Sequence, residues 1–562
     1  MSAELRFALM LDELEVGAWV SRCLDHLLAV PDVELVLLIV NARPARKSFL
    51  QKIRSGLKRE NWRFLLANVY FGILLSRLMP QRPHSSYKDL FGRTPTIFCN
   101  IERRGKYSEY FSAADVHRIS NYKLDFILRF GFGIIRGDIL QSARYGVWSF
   151  HHDDDQKYRG GPPAFWEIYF GDPVTGAILQ RLTDKLDAGI VLYKGFFKTL
   201  HNSYPRNLQQ VLFQSTPWPA RVCKDIQNGT ARYLDAAPSD SRAPIYHAPT
   251  NAQLARFFLR AAWSLCRRAV TWPFRLTQWN VGIVNRPIHS FLGSQVVRDI
   301  HWLPDPPRQL YVADPFGLQS RADLLLLAEV FDHRTARGSI AALRLVGGHV
   351  VEGPTTVIDL STHLSYPYLA TDGTDIYCIP ESAQAGGVYL FRAQQFPWHW
   401  EHVSTLLESV QLVDPTVFRY AGRWWMLGVS GDAGPWCTLY GWYADRLQGP
   451  WVPHGANPLK ADIRSSQPAG TPFIHDGVLY RPAQNGARRY GGEITLQRVL
   501  KLTPTEFEEE PVSSLTADPS SRYGLGIHTL SAVGDITLVD GQREIFGFVS
   551  PRPNWSDVLR RR

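Results

Sequence analysis

The sequence is short of cysteine, with six in 562 residues. Cys23, Cys99, Cys223, Cys266, Cys378 and Cys437 are scattered, and none forms a CxxC pair. That spacing excludes a disulfide framework and a zinc site as sequence readings, and it fits a reducing compartment. No metal site is read. Long apolar runs are missing too. Phe64 to Leu78 is interrupted by Arg77 and falls short of the roughly 20 residues that a spanning helix needs. The N-terminus carries Glu4 and has no long apolar core, so no signal peptide is expected. The expected location is cytoplasmic, with peripheral contact at the inner membrane allowed. No Gly-x-Gly-x-x-Gly follows the first strand-like run, so a dinucleotide fingerprint is absent. Charge is mild, a formal +10. It permits an acidic partner, such as a sugar-nucleotide diphosphate, a phospholipid surface or RNA, but selects none.

What is present is length and aromatic side chains. A chain of 562 residues exceeds one ordinary core, so two or three domains are expected. Forty-five per cent hydrophobic and 20% charged residues are proportions of a globular protein. Most of the 17 Trp follow residue 270, which points to a β-rich or carbohydrate-handling second half.

Leu5 to Leu11 reads as a buried strand, Val16 to Val30 as a helix and Val33 to Val40 as a second strand. This βαβ start predicts a parallel sheet with helices on its faces. Phe49 to Met79 reads as mostly helical and basic, and Pro80 to Tyr87 as a loop. Pro95 to Cys99, Leu124 to Phe130 and Val147 to His151 follow as strands. Ligands of open α/β sheets sit at the carboxyl ends of strands. Alternation puts Ser149 and His151 on one side of an extended segment. A hydroxyl and an imidazole at that spacing, with Asp187 returning later, form a candidate acid–base site. Read alone, Asp153 to Asp155 fits a solvated turn, and His151 a structural histidine.

The wider pattern bears on that choice. Ser149-Phe150-His151, Tyr158-Arg159-Gly160, Thr175-Gly176 and Leu186-Asp187-Ala188-Gly189 occur in that order. This stretch resembles the formyltetrahydrofolate-dependent formyltransferases, such as methionyl-tRNA and sugar-nucleotide formyltransferases. Ser149 departs from the family's Asn, and His152 and the Asp run depart from its Pro and its Ser-Leu-Leu-Pro. The resemblance implies a Rossmann-like α/β domain over residues 1–205 that uses 10-formyltetrahydrofolate as co-substrate. It implies His151, Asp187 and Ser149 as catalytic residues, with His151 relaying a proton, Ser149 donating to an oxyanion and Asp187 orienting His151. Gly131, Phe132, Ile135 and Asp184 would line the folate, and Tyr158, Arg159 and Gly160 would wall the substrate cleft.

Residues 206–285 read as a connector. Within it Asn251 to Trp272 is a basic amphipathic helix, with Leu254, Phe257, Phe258, Ala261, Leu265 and Ala269 in one stripe and Arg256, Arg260, Arg267 and Arg268 around it. Such a helix packs between domains or lies on an anionic membrane, and packing is the expectation.

From Ile288 the pattern becomes short β runs. A loose repeat of about fifty residues runs through Ala313-Asp314-Pro315-Phe316, Ser365-Tyr366-Pro367-Tyr368, Asp414-Pro415-Thr416, Pro468-Ala469-Gly470 and Gly526-Ile527-His528. Asp372-Gly373, Asp476-Gly477 and Asp540-Gly541 read as turns inside the units. Five β units at that period predict an all-β five-bladed propeller over residues 286–552. It resembles arabinanase- and invertase-type glycosidase propellers, and more closely the N-terminal domain of glucosamine inositolphosphorylceramide transferases. The resemblance places Asp314, Asp414, Glu381 and Glu493 in a propeller pocket. Gln467 stands where such glycosidases carry their acid and cannot donate a proton as a carboxylic acid does. A glycan-binding or scaffolding propeller is therefore expected over a hydrolase, with Tyr366, Trp424 and Tyr480 as stacking candidates.

Together these readings give a multidomain formyltransferase acting on a primary amine, an amino-sugar nucleotide or glycolipid, with no nucleic acid expected. The alternatives are a non-catalytic carbohydrate-binding scaffold with a degenerate formyltransferase fold, or a bifunctional protein with glycoside hydrolase activity.

Overall fold

The computed structural model describes residues 4–42, 59–74, 87–105, 108–185, 188–271, 275–321, 323–431 and 436–547. The chain forms two compact units, Met1–Leu265 and Cys266–Arg562.

Unit 1 is built on one mixed sheet. Its strands are β1 (Leu5–Leu11), β2 (Val33–Asn41), β3 (Thr96–Cys99), β4 (Phe126–Arg129), β5 (Val147–His151), β6 (Val174–Arg181) and β7 (Ile190–Lys198), in spatial order β7-β6-β5-β4-β1-β2-β3. β3, β2, β1, β4 and β5 run parallel, and β6 and β7 add an antiparallel edge. The parallel strands are apolar on both faces, as a sheet covered on both sides requires. Phe7, Phe126 and Trp148 stack across β1, β4 and β5, with centroids 5.2 and 3.9 Å apart. The chain runs from β1 to β2 and β3 on one side, then returns to β4 on the other. That reversal is a topological switch point, and the crevice beyond it is where open α/β sheets take ligands.

The segment expected as a connector divides differently. Helices α1 (Tyr204–Gln214) and α2 (Trp218–Gln227) belong to unit 1. Buried Trp218 stacks on Tyr193 and Phe197 of β7, at 4.9 and 6.2 Å. Helix α3 (Asn251–Thr271) buries Leu254 and Phe257 but leaves much of its surface open. Arg275–Val284 is a strand of unit 2. The polar and Pro-rich composition masked these elements, because their apolar faces are narrow. The helix expected over Phe49 to Met79 is described only from 59 to 74, and the loop from Pro80 lies mostly outside the described residues.

Among its described residues unit 2 forms five β-sheets of four or five strands, antiparallel except where Val296–Val297 pairs in parallel. Three run in chain order from Leu310–Ile358, Ser365–Glu408 and Leu412–Ala461. The fourth combines Phe473–His475 to Phe507–Ala517 with Val296–Val297. In the fifth, Arg275–Val284 from the start of the unit pairs with Ile536–Phe546 from its end. The repeat has a physical basis. At Asp314-Pro315, Tyr366-Pro367 and Asp414-Pro415 the ladder skips two residues, and the first of each pair has φ of 51, 44 and 51°. Such a bulge re-aims a side chain, and all three are buried. Asp372-Gly373 and Asp476-Gly477 are turns, but Asp540-Gly541 lies inside a strand with Asp540 fully buried.

Candidate functional site

In unit 1 the carboxyl ends of β1, β4 and β5 bring together Asp12, Arg129, the turn at Phe130–Gly133, Ser149 and His151. Gly131 has to be glycine, because a Cβ there would lie 2.3 Å from the Asp12 backbone nitrogen. Phe132 donates its N–H to Asp12 Oδ1 at 2.9 Å, and its ring meets Phe111 at 5.3 Å. Asp184 accepts from the Gly137 N–H at 3.2 Å, while its carbonyl accepts from Arg136. Ile135 corrects the expectation: its side chain is buried in the core with Ala8, Met10 and Ile39, so only its backbone can face a ligand.

Ser149 and His151 share a side of β5, opposite Gln180 and Ile178 of β6. Phe150, on the other side, stacks with His152 at 5.5 Å. Burial, then the neighbouring His151, lowers His152 to about 3, so His152 is a neutral packing residue. Ser149 is buried and its Oγ accepts from Arg129 Nη1 at 2.6 Å. The Arg129 Nη2 donates to the Gly133 carbonyl at 2.8 Å. Arg129 Nε is buried with no hydrogen-bond partner. Ser149 Oγ accepts from the guanidinium and donates its own proton to the Phe150 carbonyl over a long 3.4 Å, a bond that a ligand oxygen could replace. His151 Nε2 lies 3.2 Å from the Tyr158 carbonyl and 3.9 Å from the Asp153 carboxylate. A carbonyl only accepts, so in that bond Nε2 carries the proton and Nδ1 is the basic nitrogen. Asp187 lies outside the described residues.

The loop walls are fixed from within. Tyr158 donates its hydroxyl to Asp172 at 3.4 Å, and Arg159 donates to the Ser241 carbonyl at 2.8 Å. Arg159 and Gly160 pair with Ile245 and Tyr246. Gly176 explains the Thr-Gly pair. A Cβ there would lie 2.6 Å from Asp154 Cα, so the Asp loop packs directly on β6.

Asp153, Asp154 and Asp155 are all buried, which corrects the solvated-turn reading. Lys194 of β7 reaches Asp154 and Asp155 at 2.8 and 2.7 Å. Asp153 accepts from the Ala164 N–H at 2.7 Å and stands against fully buried Glu167. Burial first, then the adjoining carboxylates, raises Glu167 to about 8 and Asp153 well above its usual range. Both carboxyls resist ionisation because water is excluded and each stands near other carboxylates. Arg129, Asp153, Glu167 and Lys194 were missed in sequence. Only the three-Asp run hinted at them, since three adjacent buried carboxylates demand partners from elsewhere.

In unit 2 the bulged Asp314 and Asp414 meet Glu381: burial first raises all three, Asp314 further raises Glu381 and Asp414, and Glu381 further raises Asp414. Glu381 and Asp414 are hydrogen-bonded to each other. Gln467 and Gln484 donate to Asp414 at 2.7 and 3.1 Å. Glu493 is not in this group: it bonds Asn485 at 3.0 Å and Ser514. Its place beyond the end of the preceding strand takes it away. Asp314 accepts from Thr529 Oγ1 at 2.6 Å. Asp540, the expected turn residue, accepts from the N–H groups of His528 and Thr529 at 3.0 Å. Burial opposes charge on His528, but Asp540 and Asp314 outweigh it and raise its pKa. Ligand atoms of Asp314, His528 and Asp540 lie within 4.8 Å of one another, a group that could hold a metal ion. Trp279 stacks on His528 at 4.0 Å. Tyr490, 39% exposed, meets His528 at 5.5 Å and Trp436 at 5.2 Å. The expected stackers lie elsewhere. Tyr366 and Trp424 are core residues, and Tyr480 packs on Phe473 at 5.4 Å.

Burial, ahead of Asp314, raises Glu381 from 4.5 to about 7. Between those values the folded chain binds more protons than the unfolded chain. Stability therefore falls as pH rises through the window. Glu381→Gln is expected to flatten that slope in thermal unfolding. An unchanged slope would assign it to other groups.

Comparison with known proteins follows the same division. Residues 306–525 match the family model for glucosamine inositolphosphorylceramide transferase 1, N-terminal. Glucosamine inositolphosphorylceramide transferase 1 of Oryza sativa subsp. japonica is 32% identical over 252 residues, 42% of this chain and 33% of that protein. Methionyl-tRNA formyltransferase of Clostridium perfringens (strain SM101 / Type A) is 25% identical over 224 residues, 37% of this chain and 70% of that protein. The chain joins a formyltransferase-like part to a part similar to the plant transferase N-terminal region. It spans about a third of the length of the plant relatives it matches. Among solved structures, a family 117 glycoside hydrolase of Zobellia galactanivorans aligns at 13% identity and TM-score 0.31, over 47% of this chain and 90% of that one. No described helix is long and apolar enough to cross a membrane. The formyltransferase-like part holds the Ser149–His151 crevice, and the transferase-like part holds Asp314, Glu381 and Asp414.

Proposed function

We propose that this chain transfers a formyl group from 10-formyltetrahydrofolate to the primary amine of an amino sugar carried by a nucleotide or a glycolipid. The observation that carries the reading is the pairing of Ser149 and His151 on one side of the β5 end. Arg129 holds the first and the Tyr158 carbonyl holds the second. The buried, unpartnered Arg129 Nε adds a donor suited to an acceptor oxygen in the crevice. The co-substrate supplies the formyl carbon. The amine nitrogen bonds the formyl carbon, the bond from that carbon to the tetrahydrofolate nitrogen breaks, and His151 takes the proton shed by the amine and returns it to the leaving nitrogen. Ser149, polarised by Arg129, donates to the oxygen on which negative charge develops. Asp187 keeps its expected role of orienting His151.

Unit 2 is read as a five-bladed propeller closed by the pairing of its first and last strands. Its aromatics at Trp436 and Tyr490 would take a glycan. A hydrolytic role is disfavoured. Glycosidases hold their two carboxyls about 5–9.5 Å apart so that the bond fits between them, whereas Glu381 and Asp414 bond each other directly.

The deciding experiment incubates the full chain with 10-formyltetrahydrofolate and a panel of amino-sugar nucleotides and glycolipids. Mass spectrometry then looks for the mass of one added CO. Failure of every amine to gain it would leave the scaffold reading. In the active pair, Ser149→Ala is expected to lower kcat by roughly 10²-fold, because it removes a donor and strands the Arg129 guanidinium. Unchanged kcat would make Ser149 structural.

A further inference from the structure

Helix α3 carries a second apolar face. Of the expected stripe Leu254 and Phe257 are buried, while Phe258 and Leu265 are exposed. Ala255, Leu259, Ala262, Trp263 and Cys266 recur at helical spacing on a different face, and all are exposed. Leu259 is 71% exposed and Trp263 73%. Large apolar side chains so exposed on one face mark an interaction surface. A neighbouring segment extends the patch. Asn251, at the start of α3, donates to the Trp62 carbonyl at 2.6 Å and accepts from the Leu66 N–H at 2.9 Å. Trp62 and Leu66 are 65% and 47% exposed.

Charge selects the occupant. Asn251–Thr271 contains four arginines and neither Asp nor Glu. Arg256, Arg260 and Arg267 recur on the side next to the apolar face, and all are exposed. Arg260 is steered toward unit 1 by its bond to the Tyr169 carbonyl at 2.7 Å. Tryptophan and leucine flanked by arginines form the side-chain set that settles helices into the headgroup layer of anionic bilayers. A second copy of the chain fits worse, because two-fold pairing would set arginine rows against each other.

We propose that the exposed face of α3, with Trp62 and Leu66, is a docking surface for an anionic phospholipid bilayer. It holds the chain on the membrane surface without spanning it, and it is independent of the reaction in the crevice. Leu259 and Trp263 enter the acyl–headgroup boundary, and Arg256 meets the lipid phosphates.

The test is co-sedimentation of the full chain with vesicles of mixed phosphatidylserine and phosphatidylcholine, against phosphatidylcholine alone. Binding to the mixed vesicles, weakened by salt and much lower on phosphatidylcholine, is expected. Arg256→Ser should lower partition about fivefold, the effect of one basic residue at an anionic surface. Leu259→Asp combined with Trp263→Asp should lower it at least about tenfold. Both sites are exposed, so circular dichroism and thermal unfolding should match wild type. No binding to mixed vesicles, equal binding to phosphatidylcholine, or undiminished binding by the double variant would overturn the proposal. So would a concentration-dependent dimer in size exclusion that Leu259→Asp abolishes, which would assign the face to a second copy.

Discussion

Replacing His151 with alanine is expected to lower formyl transfer by about 10²–10⁴-fold, the usual contribution of a positioned acid–base group. The imidazole is half-buried at the end of β5, with Nε2 tied to the Tyr158 carbonyl at 3.2 Å. That bond fixes the ring and leaves Nδ1 as the only base on it. Alanine removes the base without opening the core, since His152, Phe150 and Trp19 carry the packing behind the strand. Thermal unfolding should therefore be nearly unchanged while kcat collapses. His151→Gln keeps a donor toward Tyr158 but no titrating nitrogen, and it should be nearly as inactive. Single-turnover formylation, read by mass spectrometry, checks both variants. An alanine variant with near-wild-type turnover would remove His151 from the chemistry. If both variants lose folding as well as activity, the residue is structural.

The second large effect is on stability. Arg481→Leu should destabilise unit 2 by about 3–5 kcal/mol, the usual cost of removing one partner of a buried ion pair. Arg481 and Glu509 side chains are 1% and 2% exposed and meet at 2.6 Å. Arg481 also donates to the Ser465 carbonyl at 2.6 Å, and Lys460 reaches Glu509 at 2.8 Å. Burial alone would raise Glu509, but Arg481 and Lys460 overcome it and lower its pKa. A lowered carboxylate contributes stability that is present above its unfolded pKa and lost as pH falls through the folded one. Removing Arg481 weakens that depression, so acid unfolding should begin at higher pH than in wild type. Urea unfolding followed by tryptophan fluorescence measures the first effect, and a pH series the second. A loss below about 1 kcal/mol would mean that Lys460 suffices alone.

Much of this molecule is written in local sequence. Leu5 to Leu11, Val33 to Val40 and Val147 to His151 announce themselves because buried parallel strands need apolar side chains on both faces. Alternation along β5 is local geometry, so Ser149 and His151 had to share a side. The fifty-residue period survives because three of the sheets carry the same bulge at their first strand, supplied by Asp-Pro or Tyr-Pro.

The partners of those residues are a different matter, because pairing across a sheet depends on strands far apart in the chain. Arg129 reaches Ser149 only because β4 lies beside β5. Lys194 reaches Asp154 and Asp155 only because β7 folds back over β6, which turned a run that reads as solvated into a buried network. Asp540 looked like a turn residue, since Asp-Gly is turn chemistry by itself, yet its strand closes the fifth sheet against Arg275–Val284 and carries the carboxylate to His528 and Asp314. Helix α3 shows the same limit from the other side. Its sequence fixed an amphipathic basic helix, but a helical stripe cannot say which face meets the protein. Only the packing of Leu254 and Phe257 against unit 1 decided that Leu259 and Trp263 face outward, because burial is set by what the rest of the chain leaves uncovered.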